Sequence, residues 1–445
     1  MVQQELFQPR DTFHPKWYIF KNLEIGRLYV CLPWHELSKC LPDQYEGGKG
    51  APRWLSNQGM FGLMFLKHYL NISDKKLIER FNTDWSLQFF CGKVLGNDQQ
   101  IRDKNLPSRV RSYIADHVDL NEVQSVLLTH WKGDIDNTHA LFMDATCYES
   151  YVRFPTDIKL LWEANKCIYE KLLFKLCKIT GTKRPRNKYL DQKRKQFTYD
   201  RLRRKSYKKG KVRKRSLLYL LEKGLGHLQA LLNSHPEIQL TDQQYSYIRT
   251  IKKVLQQQRY LFDSPGAKVK NRIVSLYKPY LRPIVRGKEN KPVEFGMKAH
   301  MLQTGGITYF DTMSFNAFNE CKRLKISTVK HKQLFGQINQ LGADAIYPTN
   351  ENRRYITSKH IFTNFARKGV NKLNTAEKAL QSQINKIRAT HLEGSFGNHK
   401  NHYGLRKIKA RGEQNERVWA FFGVMAANAL AMAYKKESPP AKIAA

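Results

Sequence analysis

Acidic residues are the scarce class in this chain. It carries 38 Asp+Glu against 77 Lys+Arg, a formal net charge of +39 over 445 residues. A surplus of that size points to a polyanionic partner, and nucleic acid is the usual one. Cysteine is sparse as well: seven residues, at 31, 40, 91, 147, 167, 177 and 321, with no CxxC pair among them. An odd number without that spacing argues against a disulfide framework and suits buried or free thiols in a reducing compartment. No Walker A motif occurs, since GGKG at 47–50, CGK at 91–93 and RGK at 286–288 lack its spacing, and there is no HExxH. The N-terminal MVQQELFQPRDTFHP lacks the apolar core of a signal peptide. The one long uncharged run, Val418 to Tyr434, has 17 residues, including Gly423, Asn428 and six alanines. It is short for a membrane span, so a buried helix is expected. Neither a lipidation motif nor a strongly amphipathic basic helix supports a membrane partner.

What is present is a folded body. Hydrophobic residues make up 41% and aromatics 12% of the chain, which is long enough for two or three domains. Apolar residues sit nearly all round a helix from Met60 to Leu70, and Ser73-Asp74 reads as the start of another over Lys75–Phe81. Residues 1–135 are therefore expected to form a helical N-terminal domain, which either docks on DNA or only packs. A helix is expected over 156–180. The densest charge run follows, Lys183 to Arg215, with 17 Lys+Arg against Asp191 and Asp200. It reads either as a solvated loop or as a phosphate-contacting segment, through Lys193, Arg194, Arg203, Arg204, Lys208, Lys209 and Arg213. Helices are expected over Ser216–Leu232 and Asp242–Phe262, the second opened by a capping box of Thr241 and Gln244. From Pro292 the pattern changes. VEFGMKAHML and GITYFDTM read as strands joined at Gly305-Gly306, followed by a helix over Ser314–Leu324. Helix is expected again from about Glu377, and residues 437–445 read as a disordered tail.

Three carboxylates stand out by setting. Asp144 ends the apolar run Ala140–Met143, read as a buried strand that turns into a pairing strand ending at Pro155. Asp344 sits at the tip of a short strand, Gly342–Ala345. Glu393 opens a helix with Gly397 and Lys400 on its face. A buried carboxylate needs a cation, either a basic side chain or a metal. Two strand-end aspartates and a late helical glutamate are the layout of a two-metal phosphoryl-transfer site, where hard oxygen ligands suit Mg²⁺. His391, His399 and His402 cluster near Glu393 but have no cysteine beside them, and read as structural or DNA-facing and not as zinc ligands.

Four motifs then carry a resemblance: DATCYESYVRFPTDIKLL at 144–161, RPIVRGKENKPVEFGMK at 282–298, GADAIYPTNENRRYI at 342–356 and EGSFGNHKNHYGLRKIKARG at 393–412. In these the chain resembles the DDE transposases of the insertion-sequence-five (IS-five) family, and the helices around 58–92 resemble that family's N-terminal domain. The resemblance implies an α+β fold: a ribonuclease H-like catalytic domain over 136–436, interrupted by a basic helical insertion at about 158–290. It implies an acidic triad of Asp144, Asp344 and Glu393, holding two Mg²⁺ ions with Mn²⁺ as a substitute. Lys400 fits the lysine seven residues after the family's glutamate. The arginine expected four residues before it is absent, because position 389 is alanine and Arg388 stands one residue earlier. Lys400, Arg406, Lys407, Lys409 and Arg411 are expected to hold phosphates near the metals. The partners implied are double-stranded DNA, as terminal inverted repeats and target, and a second copy of the chain in a synaptic homodimer. The setting implied is the bacterial cytoplasm, at the nucleoid. A nuclease of the same fold, and a non-catalytic DNA-binding relative, remain the alternatives.

Overall fold

The computed structural model describes residues 16–42, 53–285, 293–367 and 373–437. The GGKG and RGK runs, the N-terminal 15 residues and the tail beyond 437 lie outside these. The chain divides into two units, residues 1–151 with 297–445, and residues 152–296.

The first unit begins with eight helices: Trp17–Asn22 (α1), Glu24–Val30 (α2), Trp34–Lys39 (α3), Asn57–Tyr69 (α4), Asp74–Thr83 (α5), Trp85–Phe90 (α6), Leu106–His117 (α7) and Leu120–Trp131 (α8). Ser56 and Ser73 cap α4 and α5 by accepting from the third backbone N–H of each. The strand Ala140–Glu149 (β1) follows. It runs straight through Asp144, so the turn and pairing strand expected there do not form. Cys147 and Tyr148 continue the buried stretch after the carboxylate, and β1 has no Gly or Pro to break it.

The second unit holds Asp157–Lys166 (α9), Phe174–Ile179 (α10), Tyr189–Arg201 (α11), Tyr207–Ser234 (α12), Asp242–Asp263 (α13) and the short strand Pro283–Val285 (β2). A π-helical stretch, Cys167–Leu173, joins α9 to α10. Thr241 and Gln244 form the capping box at the start of α13. Asp157 sits in the first turn of α9, where its carboxylate meets Lys214 at 3.1 Å and Arg272 at 2.6 Å. The strand β2 pairs antiparallel with the first residues of Val293–Thr304 (β3). The chain then passes into the first unit.

There β3 turns at Gly305-Gly306, both at positive φ (51° and 83°), into Ile307–Ser314 (β4). The helix expected over Ser314–Leu324 starts only at its last residue: Leu324–Phe335 is α14. Asn319 and a 3₁₀ turn over Glu320–Arg323 occupy the segment before it. Then come Gln340–Ala343 (β5), Asn350–Ser358 (α15), Phe362–Thr363 (β6), Thr375–Ile387 (α16), Glu393–His402 (α17) and Glu413–Glu437 (α18). The sheet order is β4-β3-β1-β5-β6, with β5 parallel to both of its neighbours. By length and composition α18 is the one helix among the described residues that could cross a membrane, but most of its apolar stretch is buried against α4, α7 and β4.

The outer edge of β4 is finished by side-chain amides. Gln124 of α8 accepts from Phe310 N at 2.8 Å and donates to Phe310 O at 2.9 Å. Asn428 of α18 does the same at Thr308, at 3.2 and 2.7 Å. These four bonds satisfy an edge that would otherwise offer itself to another strand.

Helix, not loop, is what the basic run Lys183–Arg215 becomes over most of its length. Its Arg213 is only 6% exposed and is spent on the second unit's own packing. It donates from Nε to Gln196 at 2.9 Å and from Nη2 to the Gln192 carbonyl at 2.7 Å, pinning α11 to α12. Arg213 is therefore removed from the set of phosphate-facing residues. Arg213→Ala should destabilise the chain by roughly 2–3 kcal/mol in chemical denaturation, because two buried glutamine acceptors lose their donor. Lys208→Ala, exposed in the same run, should shift it by less than about 0.5 kcal/mol. Equal effects would mean that the buried bonds do not hold α11.

Candidate active site

Three elements bring their carboxylates to one point. Asp144 lies inside β1, Asp344 directly follows β5, and Glu393 opens α17. The parallel pairing of β1 and β5 sets Met143 opposite Ala343, so the two aspartates leave neighbouring strands at the same level. Between the three stands Arg388. Its Nη1 lies 3.4 Å from Asp144 Oδ2 and 3.1 Å from Glu393 Oε1, and its Nη2 lies 3.9 Å from Asp344 Oδ1.

The position of Arg388 depends on an irregularity in the helix. Residues five apart on an α-helix point about 140° away from each other, at 3.6 residues per turn. Arg388–Leu392 is instead a π-turn, in which the Glu393 N–H bonds to the Arg388 carbonyl. That single wide turn places residues five apart on one face. The arginine that stands one residue too early in the sequence is returned to the glutamate by the extra residue in the turn.

Burial is the dominant force on Asp144. It pushes the carboxyl up to about 6; Glu320 and Asp344 add repulsion, while the Ala145 N–H and Arg388 pull the other way. The Ala145 N–H donates to Oδ1 at 2.7 Å. Asp344 and Glu393 are half exposed. The site thus has one desolvated carboxylate, two wetter ones and a single guanidinium between them.

The surroundings fix these groups from several sides. Asn364, just after β6, accepts from Ala343 N at 3.1 Å and donates to Ala343 O at 2.9 Å, extending the sheet by a side chain up to the residue before Asp344. It also donates to Asn385 of α16, the helix that leads into Arg388. On the other side of Asp344, Tyr347 N–H bonds back to the Asp344 carbonyl. The Tyr347 hydroxyl is hydrogen-bonded at 2.7 Å to His300 Nε2. The His300 Nδ1–H donates to Asp311 at 2.9 Å, and Arg323 grips the same carboxylate at 2.8 and 3.0 Å. Burial alone would raise the Asp311 carboxyl, but the bonds from His300 and Arg323 overcome it and hold it at about 2. Asp311, in β4, is the buried anchor of this chain of bonds.

Lys400 donates to Thr146 Oγ1 at 3.0 Å. Thr146 is two residues beyond Asp144 on the same face of β1, about 7 Å along the strand. The segment after α17 lies along the end of β1, with Ile408 N–H bonding to Glu149 O and Tyr151 N–H to Ile408 O, both at 2.8 Å. Arg406, Lys407, Lys409 and Arg411 on this segment are exposed, and Lys407 pairs with Glu149. Lys193, Arg194, Arg203, Arg204, Lys208 and Lys209 are exposed in the second unit. Of the three histidines near Glu393, His399 is fully buried against the Tyr148 hydroxyl and its imidazole is held down to about 3 by burial; His391 and His402 are exposed. They do not converge, and among the described residues no three His, Cys, Asp or Glu are gathered closely enough to hold a metal as they stand.

Sequence reasoning missed Asn364, Glu320 and the Asp311–His300–Tyr347 chain. Tyr347 lies inside the motif GADAIYPTNENRRYI, but its partners stand far from it in sequence and only the fold brings them together. It named Arg388 without being able to place it.

Residues 19–113, which span α2 to α6 with most of α1 and α7, match the family model described as Transposase domain (DUF772). That match supports a transposase family. No curated protein and no solved structure matches the chain.

The electrostatics give two changes of opposite sign. With its carboxyl at about 6, folded Asp144 holds its proton above the ordinary range of 3.8, where an unfolded chain has released it. The folded state then binds more protons than the unfolded state between about pH 4 and 6, and stability falls as pH rises through that window. Asp144→Asn should therefore stabilise the chain at pH 7.5 in EDTA, by at most about 3 kcal/mol, and lose the advantage near pH 4. Arg388→Gln should destabilise it at pH 7.5, because three carboxylates then face each other alone. Thermal melts at the two pH values decide; a less stable Asp144→Asn at pH 7.5 would show that the strand tolerates the charge.

Proposed function

We propose that this chain is a DNA transposase of the acidic-triad kind, similar to the IS-five family. It binds the terminal inverted repeats of an insertion sequence, cleaves there, and joins 3′-hydroxyl ends to target DNA by phosphoryl transfer. The observation that carries the reading is the meeting of Asp144, Asp344 and Glu393 at one point, in a chain whose residues 19–113 match a transposase domain. A ribonuclease H-like catalytic core is part of the proposal. It is supported by the strand order β4-β3-β1-β5-β6, with the first carboxylate on the central strand and the second just past its parallel neighbour.

Divalent metal fits the donor chemistry and the charge of this site. The three donors are carboxylate oxygens, and burial pushes the least exposed of them up to about 6. The 3.1–3.9 Å distances are ion-pair distances to a guanidinium, so Arg388 must give way for oxygens to close on an ion. Two Mg²⁺ ions, or Mn²⁺, bound there would supply activation of a water or 3′-hydroxyl and charge stabilisation at the leaving 3′-oxygen. The chain's own groups do the rest. Asp144, rigid in β1 and bonded to Ala145 N–H, is the fixed ligand; Asp344 and Glu393, more exposed, can adjust. Lys400, braced on Thr146, presents an ammonium about 7 Å along β1 from Asp144, within reach of a phosphate next to the one being attacked. Arg388, once displaced, stays beside the site as a cation for the phosphoryl oxygens. Two element ends must be held together, so a homodimer on double-stranded DNA is the proposed working assembly, in the bacterial cytoplasm at the nucleoid.

Asp144→Asn, Asp344→Asn and Glu393→Gln should each lose cleavage of a labelled terminal-repeat duplex in Mg²⁺ while binding that duplex in Ca²⁺ as well as the parent or better. Each change removes one ligand and one negative charge facing phosphate. Asp157→Asn, whose carboxylate serves Lys214 and Arg272 in the second unit, should still cut if it folds. Supplying a pre-cut 3′-hydroxyl end separates a joining enzyme from a nuclease. A folded Glu393→Gln protein that cuts like the parent would remove the helical glutamate from the site.

A further inference from the structure

The first unit contains a cleft of about 860 Å³ that is distinct from the triad. One wall comes from the helical module: Lys67 near the end of α4, Ser73 and Asp74 at the start of α5, and Arg111 of α7. The other comes from the end of α17 and the segment after it, with Lys400, Arg406, Lys409 and Arg411. Among the residues lining it, Asp74 is the sole carboxylate, facing seven lysines and arginines. That one acid is shared: Lys67 Nζ lies 2.6 Å from Oδ1, and Arg111 Nη2 lies 3.4 Å from Oδ2.

Arg111 makes this more than a charged hollow. Its side chain is 95% buried, yet its Nη1 has no hydrogen-bond partner. A buried, charged N–H left unpaired is costly, so it calls for an acceptor that the chain does not supply. Geometry says what kind of acceptor fits. Trp419 lies at the base of the cleft, 6% exposed, with Lys67 at 5.2 Å and Arg111 at 4.8 Å from its ring centroid. The indole face is thus covered by cations and cannot stack a base. What remains for a ligand is N–H donors and positive charge, the recognition chemistry of phosphate oxygens, and a guanidinium is the group that meets them two at a time.

We propose that this cleft grips the phosphodiester backbone of the DNA flank that leads away from the cleavage site, with Arg111 and Lys67 as its inner contacts. The proposal deepens the transposase reading and rests on it. Lys400 belongs to both places: it lines the cleft, and it is braced on β1 about 7 Å along the strand from Asp144. A backbone lying in the cleft therefore arrives at the triad with its neighbouring phosphates already held. The helical module contributes through this inner wall as a non-specific clamp.

The test is the salt dependence of binding of the full chain to a labelled terminal-repeat duplex in Ca²⁺, where no cutting is needed. Each phosphate that the protein ceases to neutralise should flatten the slope of log K against log salt by about 0.9. Arg111→Gln should flatten it by about one unit, Arg111→Lys by less, and the exposed triple change Arg406→Gln, Lys409→Gln, Arg411→Gln by about 2–3 units. Asp74→Asn should tighten binding at low salt several-fold, since it frees both inner cations. Melting curves of each variant establish that it is folded. If the parent fails to bind DNA, the transposase reading falls and takes the clamp with it. If the parent binds but the triple variant keeps its slope and Asp74→Asn weakens binding, the clamp alone is overturned, and Arg111 is a structural partner of Asp74. Should Arg111→Gln fail to fold, the triple variant and Asp74→Asn decide.

Discussion

A carboxylate inside a buried strand governs the first unit's electrostatics. Asp144 cannot leave β1, which is paired on both sides, and burial holds its carboxyl near 6. The chain answers with one guanidinium shared among three carboxylates. A charge in low dielectric is tolerated only when it is paired and hydrogen-bonded. Arg388 provides the pairing and Ala145 N–H the hydrogen bond. The resulting arrangement is compact but under-neutralised, three negative groups to one positive. That imbalance leaves the site net negative, which supports the divalent metal in the proposed function.

The polar groups around this site are organised to hold position. Asn364 finishes β5 by both backbone groups of Ala343, and Gln124 and Asn428 finish β4 in the same manner. Each amide replaces a missing strand with one donor and one acceptor, so the sheet ends there without unsatisfied backbone. The Asp311–His300–Tyr347 chain ties the turn after Asp344 to β3 and β4. Buried networks of this kind are stiff when every member is satisfied.

Positive charge in this chain performs more than one task. Arg213 and Lys214 are internal to the second unit, where they bind Gln192, Gln196 and Asp157. Arg388 is a counter-ion. Arg111 is half paired. Lys67, Lys278 and Lys298 are buried as well. A count of +39 therefore overstates what is available to a polyanion, and burial decides which residues are spent inside.

Several features were legible because they depend on neighbours in sequence. The capping box at Thr241, the Gly305-Gly306 turn, the buried helix around Val418–Tyr434 and the late helix from Glu377 follow from local propensity and periodicity. The three carboxylates could be named from their settings and from motif order. The sequence did not show that β1 continues through Asp144: a lone charge in an apolar run resembles a strand end, yet the strand runs on to Glu149, beyond Met143, the last residue it pairs with β5. Nor did it show that the segment Ser314–Leu324 is a turn, since Asn319 capping and the grip of Arg323 on Asp311 depend on β4 being in place. The clearest division is at Arg388. The sequence determined that an arginine stands five residues before the glutamate, where an α-helix would turn it away. The tertiary structure decided that one turn of that helix opens to i→i+5, because three carboxylates, brought together by β1, β5 and α17, hold the guanidinium among them.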